Sequence, residues 1–354
     1  MKLFNYLLII TILISSCKDD EANSPIFDEN YGEGMYVVTD MGVSFFKYID
    51  SLAEVTNQIY NTVNNITIDN PKKIKFSGTR AYILGDDYVV TANVNTFEDR
   101  GIFRGFVNPV DFDFVSHDRL FVVDEGDSKV KVVDIDRMEI ISDIETGDST
   151  RPVFIVSNSY KSFVLNGGGE AFNERDSTVV SIEHSEWLVA LADFNGSISL
   201  GYNPISAIWG SNPMILCRGV YNVNSNSEDV ESSLYKLNGW DNSINNSVVL
   251  SGIYNANNLI ANNDASFLYF TAHDGIYQIN SNSFSFNSIL LHQANVMRMN
   301  YEVYPVTDTT FLNVGMLYMN DVDNPNTILK YNLYTSTFQD TIIVEGSVRD
   351  INFY

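Results

Sequence analysis

The feature that most limits how this chain can fold is a repeat. An Asn-Pro-like step leads into a short apolar run, then a polar turn, then a second apolar run with an aromatic near its start. It begins at Asn70-Pro71 (Ile74-Lys75-Phe76, then Ala81-Tyr82-Ile83-Leu84), at Asn108-Pro109 (Phe112-Asp113-Phe114, then Leu120-Phe121-Val122-Val123), at Arg151-Pro152 and at Asn203-Pro204. Looser copies begin at Asn255, Asn295 and Ser347, so the starts are 38 to 52 residues apart. The runs are rich in Val, Ile, Phe and Tyr and are separated by Asn, Asp, Gly and Ser, which is strand-and-turn chemistry. Units of this length cannot bury an apolar face alone and become stable only by stacking on their neighbours.

The second copy shows four strands, predicted at Asp111–Val115, Arg119–Asp124, Lys129–Ile135 and Glu139–Glu145. Four strands per unit and seven units predict an all-β fold, a seven-bladed β-propeller of four-stranded antiparallel blades. The two ends fit together. Gly34-Met35-Tyr36-Val37-Val38 matches the second strand of a unit and Val348 to Tyr354 matches a first strand. One blade built from both ends would leave the ring without an open edge.

Ahead of the repeats, Met1-Lys2, the apolar run Leu3 to Ile14, and Ser15-Ser16-Cys17 have the order of a signal peptide. The run is short of the roughly 20 apolar residues a membrane helix needs. The organisation expected is a signal segment over 1–16, a lipidated tether over 17–31 starting at Cys17, and the propeller over 32–354. The chain has 45 Asp and Glu against 21 Lys and Arg, a net charge of −24. That charge repels phosphates and argues against a nucleic-acid partner. The other cysteine, Cys217, lies in Met214-Ile215-Leu216-Cys217 and is expected to be a buried, inert thiol.

Ile14-Ser15-Ser16-Cys17 resembles the lipobox of bacterial lipoproteins, in which the cysteine is diacylated and the chain is cut before it. Lys18-Asp19-Asp20 resembles the signal that sends lipoproteins of Bacteroidetes to the outer face of the outer membrane. The repeats resemble the YncE-type propellers, whose units carry a Val-x-Val-Val-Asp strand; Lys129-Val130-Lys131-Val132-Val133-Asp134 is similar to it. The likeness spans roughly Tyr31 to Tyr354 and is strongest from Pro71 to Pro152. It implies a membrane-anchored, cell-surface protein that captures a ligand, with a TonB-dependent transporter as partner and a cobalamin-like compound, a siderophore or a glycan as ligand.

The Asn-Pro entries to the first strands and the second-to-third loops share one face of the ring. The longest predicted loops fall there, at Asn166 to Ser177, Gly219 to Ser232 and Tyr318 to Asn326, and long loops on a rigid scaffold concentrate function. At the channel mouth on that face the ligand-binding candidates are Asn70, Asn108, Arg151, Asn203, Asn255 and Asn295, with Lys73, Arg298 and Arg349 just inside. Tyr202-Asn203 and Tyr254-Asn255 repeat an aromatic–amide pair. Amides and guanidiniums suit a polar or anionic small ligand, although an Asn before a strand also serves simply to make a tight turn.

No catalytic constellation, cofactor motif or metal-ligand spacing stands out. His117, His184, His273 and His292 lie in separate units, and Gly167-Gly168-Gly169 lacks the Lys-Ser/Thr of a phosphate loop. Asn222-x-Asn224-x-Asn226 and Asp321-x-Asp323 lack the central Gly and spaced Glu of a calcium loop. Trp240 is placed in an outer turn, expected to be partly buried on a neighbouring blade, or else a platform for a sugar or a protein. Two other functions fit this pattern: a protein–protein scaffold, and a lyase or hydrolase gathering Asp86, Asp87, Asp124, Asp127 or Asp274 at the axis.

Overall fold

The structure, a computed structural model, describes residues 31–47, 55–147, 150–169, 175–185, 192–221, 229–307 and 310–354. Cys17 and the segment around it lie outside the described residues, as do parts of the loops after Asn166 and Gly219.

Strands are numbered β1 to β28 in chain order. They form seven four-stranded antiparallel sheets, the seven blades expected. The blade of the second copy has β8 (Pro109–Phe114), β9 (Arg119–Asp124), β10 (Lys129–Asp134) and β11 (Glu139–Glu145) in meander order. Burial explains the sequence pattern. In β9 and β10 nearly every residue is buried, because both sheet faces lie against other blades, whereas β11 is largely exposed. Near-continuous apolar runs belong to strands covered on both faces, and mixed ones to a strand that meets water. The apolar cores accordingly sit between blades, as where Tyr36, Phe45, Ile74, Ile83 and Phe97 pack together.

The blade that closes the ring is composite. β28 (Val348–Phe353) is its innermost strand and pairs with β1 (Met35–Thr39), followed by β2 (Gly42–Phe46) and β3 (Val55–Thr56). Met35 stands opposite Phe353 and Val37 opposite Ile351. Gly34 and Tyr354 exchange backbone hydrogen bonds of 3.2 and 3.1 Å.

The innermost strands, β4 (Lys73–Ser77), β8, β12 (Pro152–Ser157), β16 (Pro204–Trp209), β20 (Asn257–Ala261), β24 (Ala294–Thr307) and β28, surround the axis. Each belongs to a separate sheet, so side chains bond across several of the seams. Asp350 accepts from the Ile74 N–H (3.0 Å), Asp111 from Ile155 (3.0 Å) and Asp113 from Ser157 (2.8 Å). Ser206 accepts from Leu259 (3.0 Å), and Thr271 from Val296 (2.8 Å). Without these acceptors, N–H groups in the ring interior would have lost water with no replacement.

Two departures from the predicted pattern occur. A short helix, α1 (Ile59–Asn64), lies between β3 and β4, with Ile59 and Tyr60 buried. β24 and β25 (Thr310–Asp321) form a hairpin of 14 and 12 residues, about twice the length of the other inner strands. β25 runs on through Asp321, so the loop predicted at Tyr318 to Asn326 is only its last residues. Polar and apolar residues alternate from Met299 to Val303, the part of this longer strand that the sequence signalled.

Candidate functional site

The inner strands enclose a channel of about 940 Å³. Its wall is two-sided in character. Lys73 and Lys75 (β4), Asp111 and Asp113 (β8), Arg298 (β24) and Arg349, Asp350 and Asn352 (β28) supply charge and polarity. Phe154, Val156, Ile205, Ala207, Leu259 and Ile260, from β12, β16 and β20, supply an apolar wall.

Within the polar part the lysines are neutralised. Lys73 Nζ lies 3.0 Å from Asp111, and Lys75 Nζ lies 3.5 Å from Asp111 and 3.7 Å from Asp113. Burial would raise the Asp111 pKa, but the two lysines outweigh it and hold the carboxyl below its ordinary value. Burial prevails at Asp113 and Asp350, whose carboxyls are held above that value. Burial also opposes the charge on Lys75, yet Asp111 and Asp113 keep its pKa raised. Arg298 donates to the Asn352 side chain and Arg349 to the Pro71 carbonyl (3.1 Å). Among the described residues, neither guanidinium has a carboxylate within ion-pair distance.

The predicted site residues divide accordingly. Lys73, Arg298 and Arg349 line the channel. Most of the others join blades or shape turns at the mouth. Asn108 accepts from Lys72 Nζ (2.8 Å) and donates to Glu125 (2.9 Å), and Glu125 accepts from Arg151 (3.0 Å), a chain across three blades. Asn70, Asn203 and Asn255 have φ of 53°, 53° and 54°, a left-handed conformation that Asn tolerates better than most residues. Asn70 donates to Asp86 (2.6 Å), Asn203 to the Gly219 carbonyl (3.0 Å), and Asn255 accepts from Arg218 (3.1 Å). Asn295 is half-buried in β24. Tyr202 is exposed, and Tyr254 packs against Tyr221 (5.4 Å between ring centroids) and His273.

The carboxylates suggested for catalysis are not among the channel lining. Asp124 is buried and accepts from the Val107 and Asn108 N–H groups, both at 2.8 Å. Asp127 binds Lys131, Asp87 binds Arg104, and Asp274 accepts from Tyr277. The channel carboxylates are Asp111, Asp113 and Asp350, which sequence reasoning missed. Their signal was a polar residue at every second position around one apolar residue: Lys73-Ile74-Lys75, Asp111-Phe112-Asp113, Asp350-Ile351-Asn352.

No group of His, Cys, Asp and Glu placed to hold a metal occurs among the described residues. Asp321 accepts from the Asp323 N–H and the Asn324 amide, which makes a turn; Asn222 to Asn226 lie outside the described residues. Cys217 is buried, which pushes its thiol up to about 12. Trp240 departs from expectation. It touches the neighbouring blade by one ring face only and is 77% exposed.

No family model and no curated relative matches this chain. Solved structures do. A putative 6-phosphogluconolactonase from Bacteroides fragilis is 12% identical, with a TM-score of 0.64 over 92% of this chain and 98% of that one. The periplasmic gluconolactonase of Pseudomonas aeruginosa is 10% identical, with a TM-score of 0.65 over 91% and 98%. A quinoprotein alcohol dehydrogenase-like protein from Bacteroides thetaiotaomicron is 12% identical, with a TM-score of 0.64 over 92% and 78%. At these identities the likeness is one of fold: the chain is a seven-bladed β-propeller with neighbours of varied function.

Proposed function

We propose that the chain is a lipid-anchored capture protein of the outer-membrane surface, holding a small amphipathic ligand with an anionic group in the propeller channel. One observation carries the ligand class. In a chain of net charge −24, Arg298 and Arg349 line the channel with no carboxylate at ion-pair distance among the described residues, across from the apolar wall of β12, β16 and β20. Such a wall takes the hydrocarbon part of a ligand, and the guanidiniums take a carboxylate, phosphate or hydroxamate. Low-dielectric walls strengthen that attraction. Siderophores and the phosphate-bearing face of a cobalamin-like compound fit this description better than a neutral glycan does. A TonB-dependent transporter is the partner such a protein would serve.

Calorimetric titration of the purified protein with cobalamin, haem, ferric siderophores and neutral oligosaccharides tests this reading. An anionic amphipathic compound should bind, and Arg298→Ala should weaken it about tenfold, the loss of one charge-assisted bond of ~1.5 kcal/mol. Silence of every anionic compound in the panel, or anionic binding indifferent to Arg298, refutes the channel as the site. The anchor is tested by metabolic palmitate labelling, which Cys17→Ala should abolish, and the surface location by protease shaving of intact cells.

A further inference from the structure

Trp240 lies on the turn between β18 (Ser233–Leu237) and β19 (Ile244–Val249), on the face of the ring opposite the loop face. At 77% it is the most exposed large apolar side chain among the described residues. One face of its indole stacks on Tyr160 of the preceding blade, with ring centroids 5.2 Å apart and planes 16° from parallel. Tyr160 is held edge-on by Trp209 (6.4 Å, 82°). The other face of the indole is open to water.

The turn itself does not need an indole. What Trp240 gives the turn is backbone: its N–H donates to the Asn238 side chain (2.9 Å) and its carbonyl accepts from Lys161 Nζ (2.8 Å). The Lys161 side chain is 3% exposed and also donates to Asn242 Oδ1 (3.0 Å). A buried ammonium is costly unless fully bonded, and this one ties a turn of one blade to a strand of the blade before. The result is a ring fixed in place with one face presented outward.

We propose that Trp240 and Tyr160 form a platform for a neutral pyranose residue of a glycan, a site separate from the channel. The C–H face of a pyranose is flat and apolar, and its hydroxyls point outward from the ring edge. A fixed indole matches that face without loss of its own freedom on binding. Asp241 follows on the same turn, and Asn158 and Asn212 lie on the adjoining turns. One oxygen of each already accepts a turn N–H, from Ser243, Tyr160 and Gly239, which leaves the two amide NH2 groups and the second Asp241 oxygen to take hydroxyls. The chain's negative charge disfavours acidic sugars.

The test is titration of the purified protein with neutral gluco-, manno-, xylo- and galacto-hexaoses, followed by tryptophan fluorescence and saturation-transfer NMR. At least one hexaose should bind saturably with Kd below about 5 mM. Trp240→Ala should weaken it at least tenfold with an unchanged melting temperature, and Trp240→Phe should restore part of the loss. Arg298→Ala should leave it unaltered, so this site and the channel site can fail separately. Absence of binding by all four hexaoses, or binding indifferent to Trp240→Ala, overturns the proposal. So does Trp240-dependent binding to phosphatidylethanolamine–phosphatidylglycerol vesicles without any hexaose signal, which would make the platform a membrane contact.

Discussion

Asp111 and Asp350 both sit in the channel wall, and they should respond in opposite ways to the same substitution. Asp111 is fully buried, accepts from Ile155 N–H at 3.0 Å and lies 3.0 and 3.5 Å from two lysines. Asn at this position keeps an acceptor for Ile155 but removes the charge. Breaking a buried ion pair costs about 3–5 kcal/mol. Lys73 and Lys75 are 28% and 26% exposed, so water recovers part of that, and roughly 2–3 kcal/mol is expected for Asp111→Asn. Asp111→Ala adds an orphaned N–H, about 1–3 kcal/mol more. Asp350 also accepts a backbone N–H, from Ile74, but burial holds its carboxyl above the ordinary value. Folding therefore disfavours its charge, and Asp350→Asn should be neutral or stabilising by up to ~1 kcal/mol at pH 7. The pH signs follow. Stability from Asp111 is present above the unfolded carboxyl pKa and is lost as pH falls through the lowered folded value. That from Asp350 is present below the unfolded pKa and is lost as pH rises through the raised one. Scanning fluorimetry at pH 7 and pH 4 reads both, with each kcal/mol worth about 2–4 °C. A fall of roughly 4–12 °C is expected for Asp111→Asn at pH 7, with no fall for Asp350→Asn. Equal losses in the two variants would refute this account of the wall.

Other consequences can be checked the same way. Burial lowers the His184 pKa to about 4, so stability should be complete above pH 6.5 and fall between there and pH 4, by on the order of 3 kcal/mol; His184→Gln should flatten that slope in urea titrations. The Cys217 thiol, pushed up to about 12 by burial, should be silent to a thiol reagent in the native protein and react fully in urea. Gly219 has φ +75° and a Cβ there would stand 2.2 Å from the Val230 carbonyl. Gly219→Ala should therefore cost at least ~2 kcal/mol, seen as a lower urea midpoint. Removing Val348–Tyr354 takes away the innermost strand of the closing blade, and circular dichroism should show loss of the cooperative transition rather than a partly folded ring.

The ring was legible because its units carry their own punctuation. The Pro-led starts at Pro71, Pro109, Pro152 and Pro204 and the paired ends around Met35 and Val348 define the blades without any tertiary information. The long hairpin was not, because its alternating pattern after Met299 reads equally well as two shorter strands. The site was half legible. Arg298 and Arg349 were placed in the channel by counting from the strand starts. The amides at Asn70, Asn203 and Asn255 drew attention as ligand donors, but the backbone conformation they serve appears only in the folded chain. Asp111 and Asp113 were missed for a related reason: the alternation Asp111-Phe112-Asp113 marks an inner strand, but its role shows only once the lysines opposite it are known.

The seams between blades have a consequence for how such a ring changes over generations. Several of the joints at the axis are single side chains, Asp350 to Ile74, Asp111 to Ile155, Ser206 to Leu259, rather than shared backbone ladders. A codon change at one joint can therefore alter the lining of the bore and the grip between two neighbours while each sheet keeps its own register. Selection can tailor the interior piecemeal, one wedge at a time, as tiles are exchanged in a vault whose ribs stay standing. That modularity is consistent with chains only 10–12% identical sharing this ring.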